Sequence, residues 1–506
     1  MKTRWSALAL VVGLIVGGPT GLADAAPSAT TSTGTQGSTG LGDRFFPLAG
    51  NGGYDVAHYD LDLSWDPTTG ELKGETTIEA RSLQTLDRFN LDLRGFDVSR
   101  VTVNDRGARF ARDGQELTIT PARRIERGEE MEITVRYRGV PETVIDPDGA
   151  VDGWIPTHDG AIALSEPQGS PSWFPVNDYP TDKATFSLSM TVPSSLTVLG
   201  NGLPDKPERH GARTTYTWRE RRPMAVYLAT VAIGHYDVTT SMTPSGIPVI
   251  VGVDPQIAAA SQPSLDRIGE MLDWEIAQFG RYPFESVGAI AVDAPDVGYA
   301  LETQTRPVFT AVVDDSTLVH ELAHQWFGDS VSLKTWPEMW LNEGFATYVE
   351  WMWSQREGGP TPAQLADEAY ASKPADDAFW TIAPGPDTLP DPTELFGEPV
   401  YLRGAMTLQA LRTEIGDEVF FRVLRQWAQR NRDGNVSTAE FIAAAERASG
   451  RDLAALFEVW LSTPAKPASS PSALAAASAA ASARSASAAH AAGATSAASP
   501  AAPARR

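Results

Sequence analysis

Two histidines and two glutamates in the second half of this 506-residue chain have the types and spacing to hold a metal ion. His320, Glu321 and His324 form the order H-E-x-x-H, and Glu343 follows nineteen residues after the second histidine. On an α-helix, positions i and i+4 share one face, so both imidazoles can aim at a single point. Two histidine nitrogens and one carboxylate, with a fourth position left for water, are the ligand set of a catalytic zinc site.

Two helices are needed to position these groups. The apolar residues around the histidines predict a first helix, which Gly328 and a loop through Pro337 terminate. A second helix is predicted over Trp340–Trp353, and Glu343 in its first turn can return to the same point. Glu321 lies beside that point, where it can reach a water molecule but is badly placed to bind the metal. We therefore expect Glu321 to be a general base.

A purely structural explanation of this motif has to be weighed, because two histidines in an apolar helix can be satisfied core residues. The chain has seven histidines, and two of them stand here with one glutamate between them. The downstream stretch WLNEGFATY places Glu343 in an apolar run, where an unpaired charge is costly. A metal ion explains both features. Cysteine is absent from the sequence, which excludes a thiolate structural zinc site.

The sequence HELAHQWFGDSV followed by WLNEGFATY resembles the aminopeptidase N-like zinc metallopeptidases, gluzincins that include leukotriene A4 hydrolase. The similarity runs from about Tyr54 to Pro467. It implies an α+β multidomain fold, with an N-terminal all-β saddle-like domain followed by a thermolysin-like α/β catalytic domain with a helical lobe. It also implies one zinc ion per chain, held by His320, His324 and Glu343.

The resemblance implies further site residues. Tyr401 in YLRG matches the family tyrosine that stabilises the oxyanion. Glu302 in YALET matches the glutamate of the family's G-x-M-E-N motif, whose carboxylate holds the N-terminal ammonium of the substrate. Glu166 falls where relatives carry an acidic residue that helps to bind the same ammonium. Ala300 and Leu301, in the same motif as Glu302, are expected to contact the substrate.

Several positions differ from the family pattern. Tyr299, Leu301 and Thr303 stand where G-x-M-E-N has Gly, Met and Asn. Leu164 stands where relatives often have Gln. The motifs therefore do not define which N-terminal residue the substrate pocket prefers.

The predicted function is hydrolysis of the N-terminal peptide bond of peptides by a zinc-activated water, with Glu321 as base and proton shuttle. Two alternatives stay open: a zinc endopeptidase with the same site, and a non-catalytic peptide-binding relative. Asn342 and Asp329 adjoin the ligands and are candidates for orienting them. Peptide substrates are the expected partners of a monomeric protein.

Composition narrows the class of partners and the location. The chain has 41 Lys and Arg against 64 Asp and Glu, and its net charge of −23 disfavours nucleic acids and anionic membranes. Residues 1–25 predict a secretory signal peptide, with an apolar core at Ala7–Val16 and small residues before the expected cleavage after Ala25. No later stretch predicts a transmembrane segment, so a secreted protein is expected.

Composition and periodicity also predict the domain organisation. Alternating runs such as Tyr54–Trp65, and a hairpin turn at Asp113-Gly114, are typical of an all-β domain. From Ile247 onward, strand-like runs alternate with helical spacing, as in the helix predicted over Ser264–Phe279. Five segments are predicted: a signal peptide (1–25), a flexible leader (26–45), a β domain (46–244), the zinc peptidase domain (245–465) and a disordered tail rich in Ala, Ser and Pro (466–506).

Overall fold

Short β-strands form most of the first half of the protein in the computed structural model, which describes residues 35–473. Alternating polar and apolar residues along these strands put one face of each sheet into a core, as in β1, where Tyr59 and Leu61 are buried while Asp60 is exposed. In chain order the strands are β1 (Tyr54–Trp65), β2 (Leu72–Ser82), β3 (Phe89–Asp92), β4 (Asp97–Val103), β5 (Arg106–Gly107), β6 (Arg109–Asp113), β7 (Glu116–Thr120), β8 (Glu130–Gly139), β9 (Thr143–Ile145), β10 (Val151–Pro156), β11 (Ala161–Leu164), β12 (Ala184–Pro193), β13 (Thr197–Gly200), β14 (Leu203–Pro204), β15 (Glu208–His210), β16 (Arg213–Met224) and β17 (Val231–Gly234).

These strands form three sheets. The largest has the order β14-β16-β12-β1-β2-β8-β4-β5, with β15 added beside β16, and only its β1–β12 pair is parallel among the described strands. A second, antiparallel sheet has the order β13-β17-β11-β10-β9. The third has the order β3-β7-β6, and its β6–β7 hairpin turns at Gly114 with φ of +58°, which confirms the predicted turn. The second sheet matters most for function, because Glu166 follows its central strand β11.

The second half combines a smaller sheet with helices. Its sheet has the order β18-β19-β20-β22-β21, in which β19, β20 and β22 are parallel; the strands are β18 (Asp237–Met242), β19 (Pro248–Val253), β20 (Val287–Ala291), β21 (Ala300–Leu301) and β22 (Val308–Phe309). Two further strands pair with each other, β23 (Val331–Leu333) and β24 (Gly434–Val436). The helices are α1 (Pro255–Leu265), α2 (Ile268–Phe279), α3 (Asp315–His324), α4 (Trp340–Arg356), α5 (Pro362–Ser372), α6 (Gly404–Ile415), α7 (Asp417–Arg430), α8 (Thr438–Ser449) and α9 (Ala454–Phe457).

An N-terminal β-rich domain followed by an α/β domain with helices was predicted, and the structure confirms it. The helix predicted over Ser264–Phe279 was wrong in extent, because two helices, α1 and α2, occupy this region and break at Asp266–Arg267. The carboxylate of Asp254 caps α1 by accepting the N–H of Gln256, and Pro255 stands at its first position. Helix α5 was not predicted, although its capping box at Thr361 is a recognisable start signal.

The predicted flexible leader ends earlier than expected, and the predicted flexible tail begins later. Within the leader predicted for 26–45, Thr35 accepts the backbone N–H of Asp87, so the described part of this segment is bound to the β domain. Within the tail predicted for 466–506, Pro467 accepts the hydroxyl of Tyr370 at 2.6 Å, so the chain packs on α5 before the described residues end. Composition alone misassigned these residues, since a few long-range hydrogen bonds hold them. The predicted signal peptide, the rest of the leader and the tail beyond residue 473 lie outside the described residues.

Across residues 35–473, the helices are all too short or too polar to span a bilayer.

Candidate metal centre and active site

Helices α3 and α4 bring three donor atoms to one point. Asp314 caps α3 by accepting the N–H groups of Ser316 and Thr317, so the helix begins at Asp315, five residues before the first histidine. The Nε2 atoms of His320 and His324 lie 3.2 and 3.5 Å from the same oxygen, Oε2 of Glu343. The three predicted ligands therefore converge, as the helical spacing required.

The outer nitrogen of each histidine is held by an acceptor. His320 Nδ1 lies 2.6 Å from Oε1 of Glu350, and His324 Nδ1 lies 3.1 Å from the carbonyl oxygen of Phe327. A carboxylate and a carbonyl accept hydrogen bonds, so each Nδ1 carries a hydrogen and each Nε2 faces inward toward Glu343. This arrangement orients imidazoles that bind metal ions, and the donor set fits a tetrahedral cation such as zinc.

The orienting groups differ from the sequence candidates. Asn342 and Asp329 adjoin the ligands in sequence, but the contacts to the ligand nitrogens come from Glu350 and from the backbone of Phe327. Glu350 stands seven residues after Glu343, two helical turns along α4 and on the same face. That spacing is the signal in the sequence that could have identified it.

Charges in the centre are strongly coupled. Burial alone would raise the pKa of Glu343, but the charge of His324 and hydrogen bonds from both histidines lower it to about 2. Burial alone would lower the pKa of His324, but Glu302 and Glu343 raise it to about 9. The cluster thus favours positive charge between its carboxylates, and a metal ion bound there takes the place of the imidazole protons.

Glu321 points into the same space without being a ligand of the predicted set. It is 5% exposed, and one of its oxygens lies within 4.8 Å of donor atoms of both Glu302 and His324. Burial raises the pKa of Glu321 to about 8, against the lowering effect of the two histidines. A carboxyl group with a pKa in this range can both accept and release a proton near neutral pH.

A close approach of two glycines brings Tyr401 to the centre. Gly344 in α4 and Gly404 at the start of α6 pack backbone against backbone, since a Cβ on Gly344 would lie 2.8 Å from the Cα of Gly404. Directly before Gly404 the chain forms a π-helical turn, Pro399–Arg403. Arg403 is fully buried and anchors this turn through carbonyl groups, including that of Trp460 at 2.7 Å.

The ring of Tyr401 consequently lies beside the first ligand. Its plane is nearly parallel to that of His320, with 6.2 Å between the ring centroids. Burial, followed by the charges of Glu343 and other carboxylates, raises the pKa of Tyr401 well above its usual value. The hydroxyl therefore stays protonated near neutral pH and is available as a donor.

The predicted ammonium-binding carboxylates come from the two domains. Glu302 follows β21 and Glu166 follows β11, and both are almost fully buried. Within residues 35–473, one oxygen of each has no hydrogen-bond partner. Burial raises the pKa of both groups, most strongly for Glu166. A cationic ligand is the natural partner for two such carboxylates.

One cavity of about 350 Å³ collects these residues. All the sequence-predicted site residues line it: Glu166, Ala300, Leu301, Glu302, His320, Glu321, His324, Glu343 and Tyr401. The cavity is also lined by residues that the sequence did not indicate, including Asp146, Asp148, Ala150 and Phe396. These residues come from loops and strand ends far apart in the chain, and only the packing of both domains unites them.

An H-E-x-x-H helix whose metal site is completed by a glutamate from the following helix is the ligand arrangement of the gluzincin metallopeptidases. Two family models match successive parts of the chain. The Peptidase M1 N-terminal domain matches residues 56–228, and the Peptidase family M1 domain matches residues 276–460. The chain belongs to peptidase family M1.

Solved structures support the assignment across 83% of the chain. The M1 zinc metallopeptidase from Deinococcus radiodurans is 30% identical, with a TM-score of 0.76 over 83% of this chain and 96% of that one. A mutant of that protein bound to Tyr-Ser-Ala substrate matches with a TM-score of 0.77, 30% identity and coverage of 83% of this chain and 97% of that one.

Curated relatives are longer. Aminopeptidase M1 of Arabidopsis thaliana is 28% identical over 61% of this chain and 37% of its own length. Aminopeptidase N of Streptomyces lividans is 28% identical over 56% of this chain and 36% of its own length. The matched region thus spans just over a third of each of these relatives.

Proposed function

We propose that this protein is a zinc-dependent aminopeptidase that removes the N-terminal residue from peptides. The observation that carries the proposal is the convergence of three ligand atoms, from His320, His324 and Glu343, beside two buried carboxylates that face the same cavity. The relatives support it, since the solved structures are of zinc metallopeptidases and the curated relatives are aminopeptidases.

The reaction needs an activated water, a base and an oxyanion donor. His320, His324 and Glu343 would hold a zinc ion, which when bound would lower the pKa of a water ligand to about 7 and polarise the scissile carbonyl. Glu321 accepts the proton of the attacking water and delivers it to the leaving amine. Tyr401, whose raised pKa keeps its hydroxyl protonated, donates a hydrogen bond to the oxygen on which negative charge develops.

Glu302 and Glu166 supply the exopeptidase character. Both carboxylates are buried, so leaving them without a positive partner while a peptide fills the cavity is costly. The N-terminal ammonium of a peptide provides that partner, whereas an internal stretch of a longer chain does not. Substrates are therefore held by their first residue, with the following peptide bond next to Glu321.

A panel of aminoacyl amides, assayed with and without chelator, tests this function. We expect hydrolysis that chelator abolishes and zinc restores, and a loss of about 10²–10⁴-fold in kcat for Glu321→Gln. Glu418→Gln, at the surface of α7, is the matched control and should retain wild-type rates. Equal rates on N-acetylated and free peptides would instead indicate an endopeptidase, and no turnover by zinc-loaded wild-type protein would indicate a peptide-binding relative.

Export is a further part of the proposal, supported by the signal-peptide pattern in residues 1–25. Expression of the full chain in a secreting host, followed by mass spectrometry of the N-terminus, tests it. Mature protein in the medium that begins at Ala26 is expected, and intact protein retained in the cells would count against export.

A further inference from the structure

The active-site cavity contains two carboxylates that the proposed reaction does not use. Seven Asp and Glu residues line the cavity, and among the described residues that line it none is Lys or Arg. Five of the seven belong to the centre and to the ammonium anchor discussed above. The remaining two are Asp146 and Asp148, which lie in the turn between β9 and β10. Residues 146–150 are called the acidic turn below.

Backbone hydrogen bonds give the acidic turn a defined shape. The carbonyl of Asp146 accepts the N–H of Gly149 at 2.9 Å, and its N–H donates to the carbonyl of Ala150 at 3.0 Å. Oδ1 of Asp148 accepts the N–H of Ala150 at 2.9 Å. The two side chains are therefore presented by an ordered hairpin turn.

The acidic turn is attached to both parts of the substrate anchor. In the second sheet, Gly153 of β10 pairs with Leu164 of β11, two residues before Glu166. From the other domain, the hydroxyl of Tyr299 donates to the carbonyl of Val151 at 2.8 Å. Tyr299 stands three residues before Glu302. A peptide whose ammonium lies between Glu166 and Glu302 thus begins next to the turn.

Charge and surface at this end of the cavity match a basic side chain. Burial raises the pKa of Asp146 to about 7, helped by Asp148 and opposed by the nearby guanidinium of Arg94. A cation that enters the cavity would favour the ionised form of Asp146. The rings of Tyr299 and Phe396 line the cavity as well, and such apolar walls suit the methylene stem of lysine or arginine.

The buried carboxylates beside the acidic turn favour cationic groups at this end of the cavity. Glu166 is 6% exposed, and within residues 35–473 its Oε1 has no hydrogen-bond partner. The substrate ammonium satisfies Glu166 and Glu302 but leaves the acidic turn without a counter-ion from the substrate. A positively charged side chain on the N-terminal residue of the substrate would supply that counter-ion.

We propose that the acidic turn is the subsite that recognises a basic side chain on the N-terminal residue, so that peptides beginning with arginine or lysine are the preferred substrates. This inference rests on the proposed aminopeptidase function. It concerns the side chain of the residue that is released, whereas the proposed function concerns only its ammonium and its peptide bond.

Matched substrates and variants test the subsite. We expect wild-type protein to hydrolyse the coumarin amides of arginine and lysine with kcat/KM at least tenfold above that of leucine. Asp146→Asn combined with Asp148→Asn should lower kcat/KM for arginine at least tenfold and change that for leucine less than threefold. Asp113→Asn, at the exposed β6–β7 hairpin, removes one equivalent charge away from the cavity and should change neither.

Binding gives a second readout that does not need turnover. In the Glu321→Gln background, L-argininamide should bind at least tenfold more tightly than L-citrullinamide, which has nearly the same shape and no side-chain charge. The preference should disappear in the double Asn variant. Equal binding of the two amides, or equal losses for arginine and leucine substrates, would overturn the subsite.

The two proposals fail in different ways. Hydrolysis of leucine amide without any preference for arginine or lysine would leave the aminopeptidase function intact and reject the basic subsite. No hydrolysis of any amide by zinc-loaded protein would reject the function itself, and the argininamide comparison would then still decide whether the cavity recognises a basic side chain.

Discussion

Gln325 donates its Nε2–H to the backbone carbonyl of Glu302 at 3.1 Å, and its Oε1 accepts the backbone N–H of Thr305 at 2.7 Å. Gln325 follows the second histidine directly and is fully buried. One side-chain amide therefore fixes the segment that carries the proposed ammonium anchor to the end of the helix that carries two metal ligands. The distance between the anchored ammonium and the scissile bond depends on this connection.

Replacing Gln325 with alanine should loosen the anchor without removing a ligand. Two buried backbone groups would lose their partners, at a cost of about 1–3 kcal/mol each. We expect kcat/KM for aminoacyl amides to fall about 10–100-fold, mainly through KM, with zinc content unchanged. Gln355→Ala, at an exposed position of α4, is the control. A wild-type KM and wild-type discrimination against N-acetylated peptides in Gln325→Ala would show that the connection does not set the anchor.

Glu350 should control the affinity for the metal. Its Oε1 lies 2.6 Å from Nδ1 of His320, and its Oε2 accepts the hydroxyl of Ser316 at 2.8 Å. Glu350→Gln keeps the shape but removes the charge that makes the imidazole more basic, so zinc affinity should fall about 10–100-fold. Titration with a competing chelator measures this. Glu368→Gln, exposed on α5, should bind zinc as wild type does, and an unchanged affinity in Glu350→Gln would contradict the role.

The hydroxyl of Tyr401 should stabilise the transition state without contributing to the binding of substrate in the ground state. Tyr401→Phe keeps the ring beside His320 and removes only the hydroxyl. We expect kcat to fall about 10²–10³-fold with little change in KM or zinc content. Tyr216→Phe removes a hydroxyl from the β domain, where it bonds to the carbonyl of Leu196, and serves as control. A kcat for Tyr401→Phe within threefold of wild type would exclude the oxyanion role.

The buried carboxyl group of Asp92 should make the stability of the protein depend on pH. Burial raises its pKa to about 7, although its Oδ2 accepts hydrogen bonds from Asn51 and from the backbone of Asp178. The unfolded value is about 3.9, so the folded state binds the proton more tightly. Proton binding by Asp92 therefore adds about 4 kcal/mol to the free energy of unfolding below pH 4. This contribution is lost as the pH rises through about 7.

Asp92→Asn should remove this dependence, because an amide oxygen can still accept both hydrogen bonds. Urea unfolding at pH 5 and pH 8 measures the difference. The free energy of unfolding of the variant, minus that of wild type, should be more positive at pH 8 than at pH 5. Asp113→Asn, at the exposed hairpin, should show no such change. A difference between Asp92→Asn and wild type that is the same at both pH values would contradict the raised pKa.

Local spacing was sufficient for the metal centre. His320 and His324 share a helix face because an α-helix repeats every 3.6 residues, and this relation holds in any fold that keeps the helix. Glu343 followed from the second predicted helix, whereas the resemblance identified Tyr401, Glu302 and Glu166. The structure places all four around one cavity. Their catalytic and binding roles stay predictions until the variants are measured.

Composition was a poorer guide at the ends and in the linkers. The residues from Thr35 to Arg44 look like a flexible leader, yet Asp43 accepts the backbone N–H of Trp336 in the catalytic domain at 3.0 Å. Helix α1 was missed because its sequence contains Pro263 and few large apolar residues. A distant contact also reaches α1, where the hydroxyl of Ser261 accepts the backbone N–H of Val313 at 3.1 Å.

The sequence by itself determined which residues can hold a metal ion, because their relation is local to one helix and the start of the next. Only the tertiary structure decided what surrounds them. Gln325 contacts Glu302 across 23 residues, and Glu350 contacts His320 across 30. The acidic turn reaches the same cavity from another domain. Contacts of this kind depend on how strands and helices pack in three dimensions, and residue spacing along the chain carries no direct record of that packing.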